Sequence, residues 1–459
     1  MIRIRVIIFA LAAVIAAGHA AAVSYQGERD LGRRFDLTVR QRVPMVEDPE
    51  VTGYVNEIGR KLVAKLDDSY FDYQFAVVRD PRINAFAVPG GYVYVNSGLL
   101  ASVKNEDELA GVLGHEIGHV HAHHVIRQQE KTEALNYAAL LGTLLSVVQP
   151  AAGALASAAS AAVSLQYQRE FEQEADYLGA RYLKAAGYDA RAMLDFFKQL
   201  SDQTRIASGA APPYLQSHPV TDERINHLEA VLKTQQWAPR ERRPPTFALQ
   251  RVQALARVRT EPPNDVLKAY QQMADKNPDA PMAQYLLGVV SLETGQLDGA
   301  GEALRAARAG GIEEADRELG RLALKQRDPK RARELLDGYL AREPADASAH
   351  VELAKALEAL GDADGAMAQY QRALDVAPQL ESAHHGLGML AGRAGKQGEG
   401  FYHLATAARL GGDYGTALNQ YSRAAGQLTA GDARADETRQ WITALSEYLR
   451  VDTPVATGR

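Results

Sequence analysis

The sequence predicts an α+β domain over roughly its first half, followed by an all-α array of helical hairpins. Three observations carry this. A strand-like segment and a hairpin with a Pro/Gly turn lie among helical stretches between residues 25 and 130. Beyond residue 264, small residues, leucines and prolines recur at a spacing close to 34. The 459 residues are 46% hydrophobic but only 7% aromatic, a balance that suits packed helices better than a β-sandwich. At about 150 residues per domain, the length accommodates three units, or two plus a repeat array. The net charge of −6 leaves no excess of Lys and Arg to neutralise phosphates, so no nucleic-acid partner is expected. Cysteine is absent, which removes disulfides, thiolate nucleophiles and Cys-ligated zinc.

The elements follow in order. Arg3 and Arg5, an apolar run from Val6 to Ala17 and the small residues Gly18-His19-Ala20-Ala21-Ala22 predict a cleaved secretory signal over 1–22. Residues 23–239 make up the α+β domain. Leu31, Phe35 and Leu37, then Val51, Tyr54, Val55, Ile58 and Leu62, give helical spacing across Tyr25 to Leu66. Phe71 to Val78 alternates as a strand. Ile83 to Val88, Pro89-Gly90-Gly91 and Tyr92 to Val95 read as a hairpin whose first arm is either an exposed edge or an internal strand. Asn105 to about Glu130 is helical in pattern. Ala134 to Leu165 is apolar but broken at Gln149-Pro150, which favours a buried or lid-like helical hairpin over a membrane span. A second helical unit runs from Gln166 to Leu200, and a loop with Pro212-Pro213 leads to Ser217-His218-Pro219.

Arg240-Glu241-Arg242-Arg243-Pro244-Pro245 marks a solvated boundary, so 240–263 is expected to be a linker and first repeat helix. Repeats then fill 264–450, with a tail at 451–459. Gly288, Gly320, Ala354 and Gly388 fall in register, and a small residue follows twelve positions after each. Leu304, Leu336, Tyr370 and Leu404 come next on the same face, and Pro278, Pro344 and Pro378 close the units. Small residues are needed where two helices of a hairpin approach closely. The pattern resembles the tetratricopeptide repeat, with four to five hairpins from about residue 246. Ala405 and Ala417 are offset by half a repeat, so the last hairpin is expected to share a helix or depart from regular stacking.

The chemistry concentrates in His115-Glu116-Ile117-Gly118-His119, within a helical pattern. At 3.6 residues per turn the two histidines share a face and can both bind one Zn²⁺, and Glu116 is placed to act as a general base. The preceding Leu109-Ala110-Gly111-Val112-Leu113-Gly114 is apolar, so this helix is expected to be buried at the motif. A catalytic zinc takes a third protein ligand, and Glu172-Gln173-Glu174-Ala175-Asp176 offers carboxylates on a second helix. Glu172 and Asp176 lie four apart on one face, so that one can bind metal while the other orients a ligand histidine. Spacing alone does not choose between Glu172 and Glu174. His121, His123 and His124 follow the motif directly and are assigned core or surface roles.

These motifs, with Asn84-Ala85-Phe86-Ala87 and Pro89-Gly90-Gly91 upstream and Ser217-His218-Pro219 downstream, resemble the gluzincin metalloproteases, the family of the CAAX prenyl endopeptidase and HtpX. The resemblance implies a zincin-like fold and one Zn²⁺ per chain held by His115, His119 and Glu172. It also implies Glu116 as the catalytic base and Asp176 behind the ligands. His218 would either donate to the oxyanion or occupy the open zinc position and hold the enzyme latent, and Arg224 would brace that loop or the carboxylates. No convincing span is present, so the membrane-integral role of some branches is not carried over. A signal peptide, one such domain and C-terminal repeats together resemble a periplasmic branch. That implies unfolded or stalled outer-membrane proteins as clients, the β-barrel assembly machinery as a partner of the repeats, and at most peripheral membrane association. The leading expectation is therefore a periplasmic zinc endopeptidase with a chaperone-like role. The alternative is a non-proteolytic repeat adaptor or assembly factor.

Overall fold

A computed structural model describes residues 25–127, 169–206, 212–234, 243–429 and 431–452. The expected signal at 1–22, the apolar stretch at 134–165, residues 240–242 of the boundary and the tail from 453 lie outside the described residues.

The stretch expected as one helical region is two helices, Tyr25–Arg42 and Pro49–Val63. Pro44 and Pro49 cannot sit inside a helix, so the chain between them runs extended, and Met45 bridges Val78. Asp48 then caps the second helix, its side chain accepting from the Glu50 amide at 3.1 Å, with Pro49 at the first helical position.

Among the described residues the sheet has three strands, β1 (Gln74–Val78), β2 (Ala85–Val88) and β3 (Tyr92–Asn96), in the order β1-β3-β2. β3 is central, parallel to β1 and antiparallel to β2, and Val88 faces Tyr92 across the turn. Gly90 and Gly91 adopt φ of 80° and 96° there, values a side chain would resist. Among the described residues β2 is therefore an edge strand. Both faces of the sheet are covered. Val77, Ala85, Ala87, Val93 and Val95 join the main core, while Val78, Phe86, Val88 and Tyr94 pack with Phe35 and Val39 of the first helix.

The motif helix, Glu106–His121, starts where the Asn105 side chain accepts from the Glu108 amide at 3.0 Å. It ends earlier than the pattern suggested, because His123 turns the backbone into the left-handed region at φ 53°. The second helical unit is likewise two helices, Arg169–Ala186 and Arg191–Ile206, separated at Gly187. A short helix Pro213–Ser217 and the helix Asp222–Thr234 complete the domain.

Six helical pairs follow among the described residues, from Phe247–Thr260 with Pro263–Lys276 to Tyr414–Ala425 with Arg434–Asp452. The expected register is a packing register. A side chain at Gly288, Gly320 or Gly388 would collide with Leu304, Leu336 or Leu404 respectively. The count exceeds the four to five expected because the first pair lacks that signature. Its first helix packs on the α+β domain instead, where Gln253 donates to the carbonyls of Leu100 and Val103. Helix Gln397–Leu410 packs on both its neighbours, which accounts for the half-repeat offset of Ala405 and Ala417.

The two parts are joined at both ends of the array. One apolar cluster runs from Val46 through the motif helix to Ala315 in the repeats. Glu50 is gripped by Arg251 and Arg317, and Asp48 pairs with Arg259 at 3.0 Å. At the far end, Leu37 of the first helix packs in a cluster with Tyr402, Tyr414, Tyr421 and Tyr448 of the last repeats. None of the described helices is long and apolar enough to cross a membrane.

Candidate metal centre

Glycine sets how closely the two helices of the site approach. A Cβ on Gly118 would lie 2.9 Å from the Ala175 carbonyl oxygen, and one on Gly179 would lie 2.9 Å from the Gly114 carbonyl carbon. With no side chains there, helix Glu106–His121 and helix Arg169–Ala186 touch along their backbones. His115 and His119 thereby meet Glu172 and Asp176 with all four side chains buried.

His115 Nε2 lies 3.0 Å from His119 Nε2, 3.5 Å from Glu172 Oε2 and 3.3 Å from His218 Nδ1. Glu172 Oε1 is 3.3 Å from His119 Nε2 and 3.0 Å from His218 Nδ1. Donor atoms of all four residues lie within 4.8 Å of one another. A zinc ion with bonds of about 2.0–2.1 Å at tetrahedral angles would hold neighbouring donors about 3.3 Å apart. The cluster fits a metal ion in donor type and in spacing, with His218 Nδ1 at the fourth corner.

The outer nitrogens are braced. His115 Nδ1 meets Asp176 Oδ1 at 2.9 Å. Arg224 donates to the same carboxylate through Nε and Nη2 at 3.0 and 2.9 Å, reaches Glu172 at 2.6 Å, and donates to the Pro219 carbonyl at 2.9 Å. It thus ties the His218 loop to both acids, while its guanidinium lies over the Phe197 ring at 5.0 Å. On the other side, His119 Nδ1 meets His124 Nδ1 at 2.8 Å, and His124 Nε2 meets Glu174 Oε2 at 3.1 Å. His124, one of the residues expected in a core or surface role, is at the core. It is buried, and it stands to His119 as Asp176 stands to His115, by a route through the left-handed turn at His123 that helical spacing does not encode. Glu174 is engaged by His124 and Arg127 away from the cluster, so the structure brings in Glu172. His121 contacts Tyr182 and His123 contacts Glu28, both outside it.

Burial acts on His115, His119, Glu172 and Glu116 alike, and the local charges decide its outcome. Burial alone would lower the pKa of His115, but Asp176 and Glu172 outweigh it and raise it to about 9. Burial, with His115 beside it, holds His119 well below its ordinary value. Glu172 is kept well below the usual carboxylate range, because His218 and Arg224 overcome its desolvation. Glu116 shifts the other way, since burial dominates and raises it. One glutamate is thus a standing anion and its neighbour is inclined to take up a proton. The Ala87 amide also donates toward Glu116, so the outer edge of β2 borders this cleft.

Residues 49–232 match the profile of Peptidase family M48. This segment is an M48 metallopeptidase domain. Residues 252–314 and 317–381 match a Tetratricopeptide repeat profile. The chain is 36% identical over 279 residues to a putative beta-barrel assembly-enhancing protease of Vibrio cholerae, covering 58% of this chain and 57% of that one. It is 33% identical over 213 residues to the beta-barrel assembly-enhancing protease of Escherichia coli K12, covering 45% and 44%. A third relative is the mitochondrial metalloendopeptidase OMA1 of Schizosaccharomyces pombe, 31% identical over 182 residues and covering 39% and 53%. The chain spans about half the length of the curated relatives it matches.

The M48 segment starts after the first helix and stops before the repeats. Sequence reasoning missed His124 and Tyr214. Tyr214 lies in the short helix Pro213–Ser217, fully buried, with its ring 5.0 Å from that of His218 and 6.5 Å from that of His115. Only its place four residues before His218 could have pointed to it.

Proposed function

We propose that this protein is a periplasmic zinc endopeptidase that degrades misassembled outer-membrane proteins and assists β-barrel assembly. The observation that carries the catalytic part is the buried cluster of His115, His119, Glu172 and His218, with donor spacings close to those of a tetrahedral site. His115, His119 and Glu172 are the proposed ligands of one Zn²⁺ per chain. Zinc held there would polarise the scissile carbonyl and lower the pKa of the attacking water. Glu116 takes the proton from that water and delivers it to the leaving amine, a task suited to a carboxylate raised by burial. Asp176 and Arg224 hold the ligands in place. The edge of β2 lies beside the cleft and offers backbone hydrogen bonds to an extended client without reading its sequence. His218, at the fourth corner, holds the enzyme latent, and its withdrawal admits a client.

Delivery to the periplasm by a signal over 1–22, a peptidase unit over 23–239 and repeats over 264–450 belong to the same proposal. Support for the client class comes from the relatives' names and from the repeats, which are built to engage proteins. Metal analysis of the full chain and cleavage of an unfolded outer-membrane protein test the reading. Glu116→Gln should keep its zinc and fold while cleavage falls by orders of magnitude, since an amide cannot accept the water's proton. Near wild-type cleavage by that variant would sink the mechanism.

A further inference from the structure

Among the described residues, Glu116 Oε1, Glu172 Oε2 and the Tyr214 hydroxyl are buried in the cleft without a hydrogen-bond partner, and of these Glu172 Oε2 has Arg224 beside it at 2.6 Å. A buried hydroxyl with no partner is a cost that phenylalanine would avoid in the same space. The Tyr214 ring has little freedom to leave. It packs against Phe196 and Phe197, with centroids 6.4 Å away in each case, and against His218 at an inclination of 33°. The Tyr214 amide donates to the Ile83 carbonyl at 3.3 Å, which pins the short helix to the chain just before β2. Tyr214 is therefore held by its backbone to the chain just before β2 and by its ring against His115 and His218 of the metal cluster.

We infer that the Tyr214 hydroxyl is a catalytic hydrogen-bond donor, aimed at the scissile-carbonyl oxygen as that oxygen gains negative charge. The inference deepens the endopeptidase reading and rests on it. A donor held in place before the reaction, in a site closed to water, favours the tetrahedral state over the ground state. Burial, followed by the nearby Glu116 carboxylate, raises the phenol well above its ordinary pKa, so it keeps its proton through the neutral range. This supplies a role for an oxygen that is otherwise unpaired, and it leaves proton transfer to Glu116.

The test uses the full-length, zinc-loaded protein and its Tyr214→Phe variant. kcat and KM are measured on a quenched-fluorescent casein-derived peptide, and the affinity for a phosphinate analogue of the same peptide is measured alongside. Loss of one such donor lowers turnover by about 10²–10³-fold in other hydrolases. The expected result is a fall of about 10²-fold in kcat with KM unchanged, and a weakening of phosphinate binding by the same factor. Zinc content and melting temperature should not fall. Wild-type kcat/KM in the variant would overturn the proposal, and so would a kcat loss accompanied by lost zinc or a lower melting temperature, which marks a packing role. If the wild-type protein binds zinc yet cleaves nothing, the endopeptidase reading fails first. Equal phosphinate affinity in the two proteins would then overturn the Tyr214 proposal separately.

Discussion

Asp176 is the most exacting place to perturb the site, because it touches no substrate and every consequence of its loss passes through its neighbours. Its carboxylate accepts from His115 Nδ1, Arg224 Nε and Arg224 Nη2 at 2.9–3.0 Å and is 1% exposed. Asp176→Asn keeps the shape but removes the charge, and it turns an NH₂ toward groups that are themselves donors. Two effects follow. Removing a group that orients a ligand histidine typically weakens metal binding about 10–100-fold, or about 1.4–2.8 kcal/mol. Breaking a buried ion pair costs about 3–5 kcal/mol. Arg224 keeps Glu172 at 2.6 Å, so the stability loss should fall near the lower end, at about 3 kcal/mol. Chelator-competition titration with zinc reads the first effect, and urea unfolding in the presence of EDTA reads the second. Zinc affinity within twofold of wild type, with an unchanged unfolding midpoint, would refute the claim that Asp176 positions His115.

Two further predictions test latency and the repeats. His218→Ala should raise proteolysis, self-cleavage included, by freeing the fourth corner; a fall in rate with zinc retained would instead assign His218 to the transition state. Glu293 sits between Arg259 and Arg321, which overcome its burial and lower its pKa from about 4.5 to about 2. A depressed carboxylate contributes stability that is complete above its unfolded pKa and is lost as pH falls through the folded one, here about 3 kcal/mol between pH 4.5 and 2. Glu293→Gln should remove that component from a pH series of urea midpoints, and an unchanged acid limb would show that the pair contributes nothing.

The repeat unit is not a separable appendage, which bears on how partners should be sought. A chain ending near Arg243 would expose the cluster shared by Leu109, Leu255 and Leu287 and would leave Glu50 without Arg251 and Arg317. Substitutions on the exposed faces of the repeats in the full chain are the cleaner way to ask which surface recruits a client.

The sequence by itself determined everything that a periodicity can express. His115 and His119 lie one turn apart on an apolar helix, Glu172 and Asp176 share a face, and the step from Gly288 to Leu304 recurs with the repeat. Each follows from residue spacing and the geometry of one helix, so a linear reading reaches it. Only the tertiary structure could decide what meets what across the chain. Glu172 rather than Glu174 turns to the histidines because Gly114, Gly118 and Gly179 let two helices touch along one line, and that line fixes which carboxylate points inward. His124 reaches His119 through a left-handed residue at His123, a turn no periodicity anticipates. Tyr214 enters the cleft from a short helix tied to Ile83 in the chain just before β2, a contact between segments more than a hundred residues apart. The joint at Glu50 and Leu37 likewise unites two units that composition separates, because burying apolar surface favours a shared core wherever two faces can be brought together.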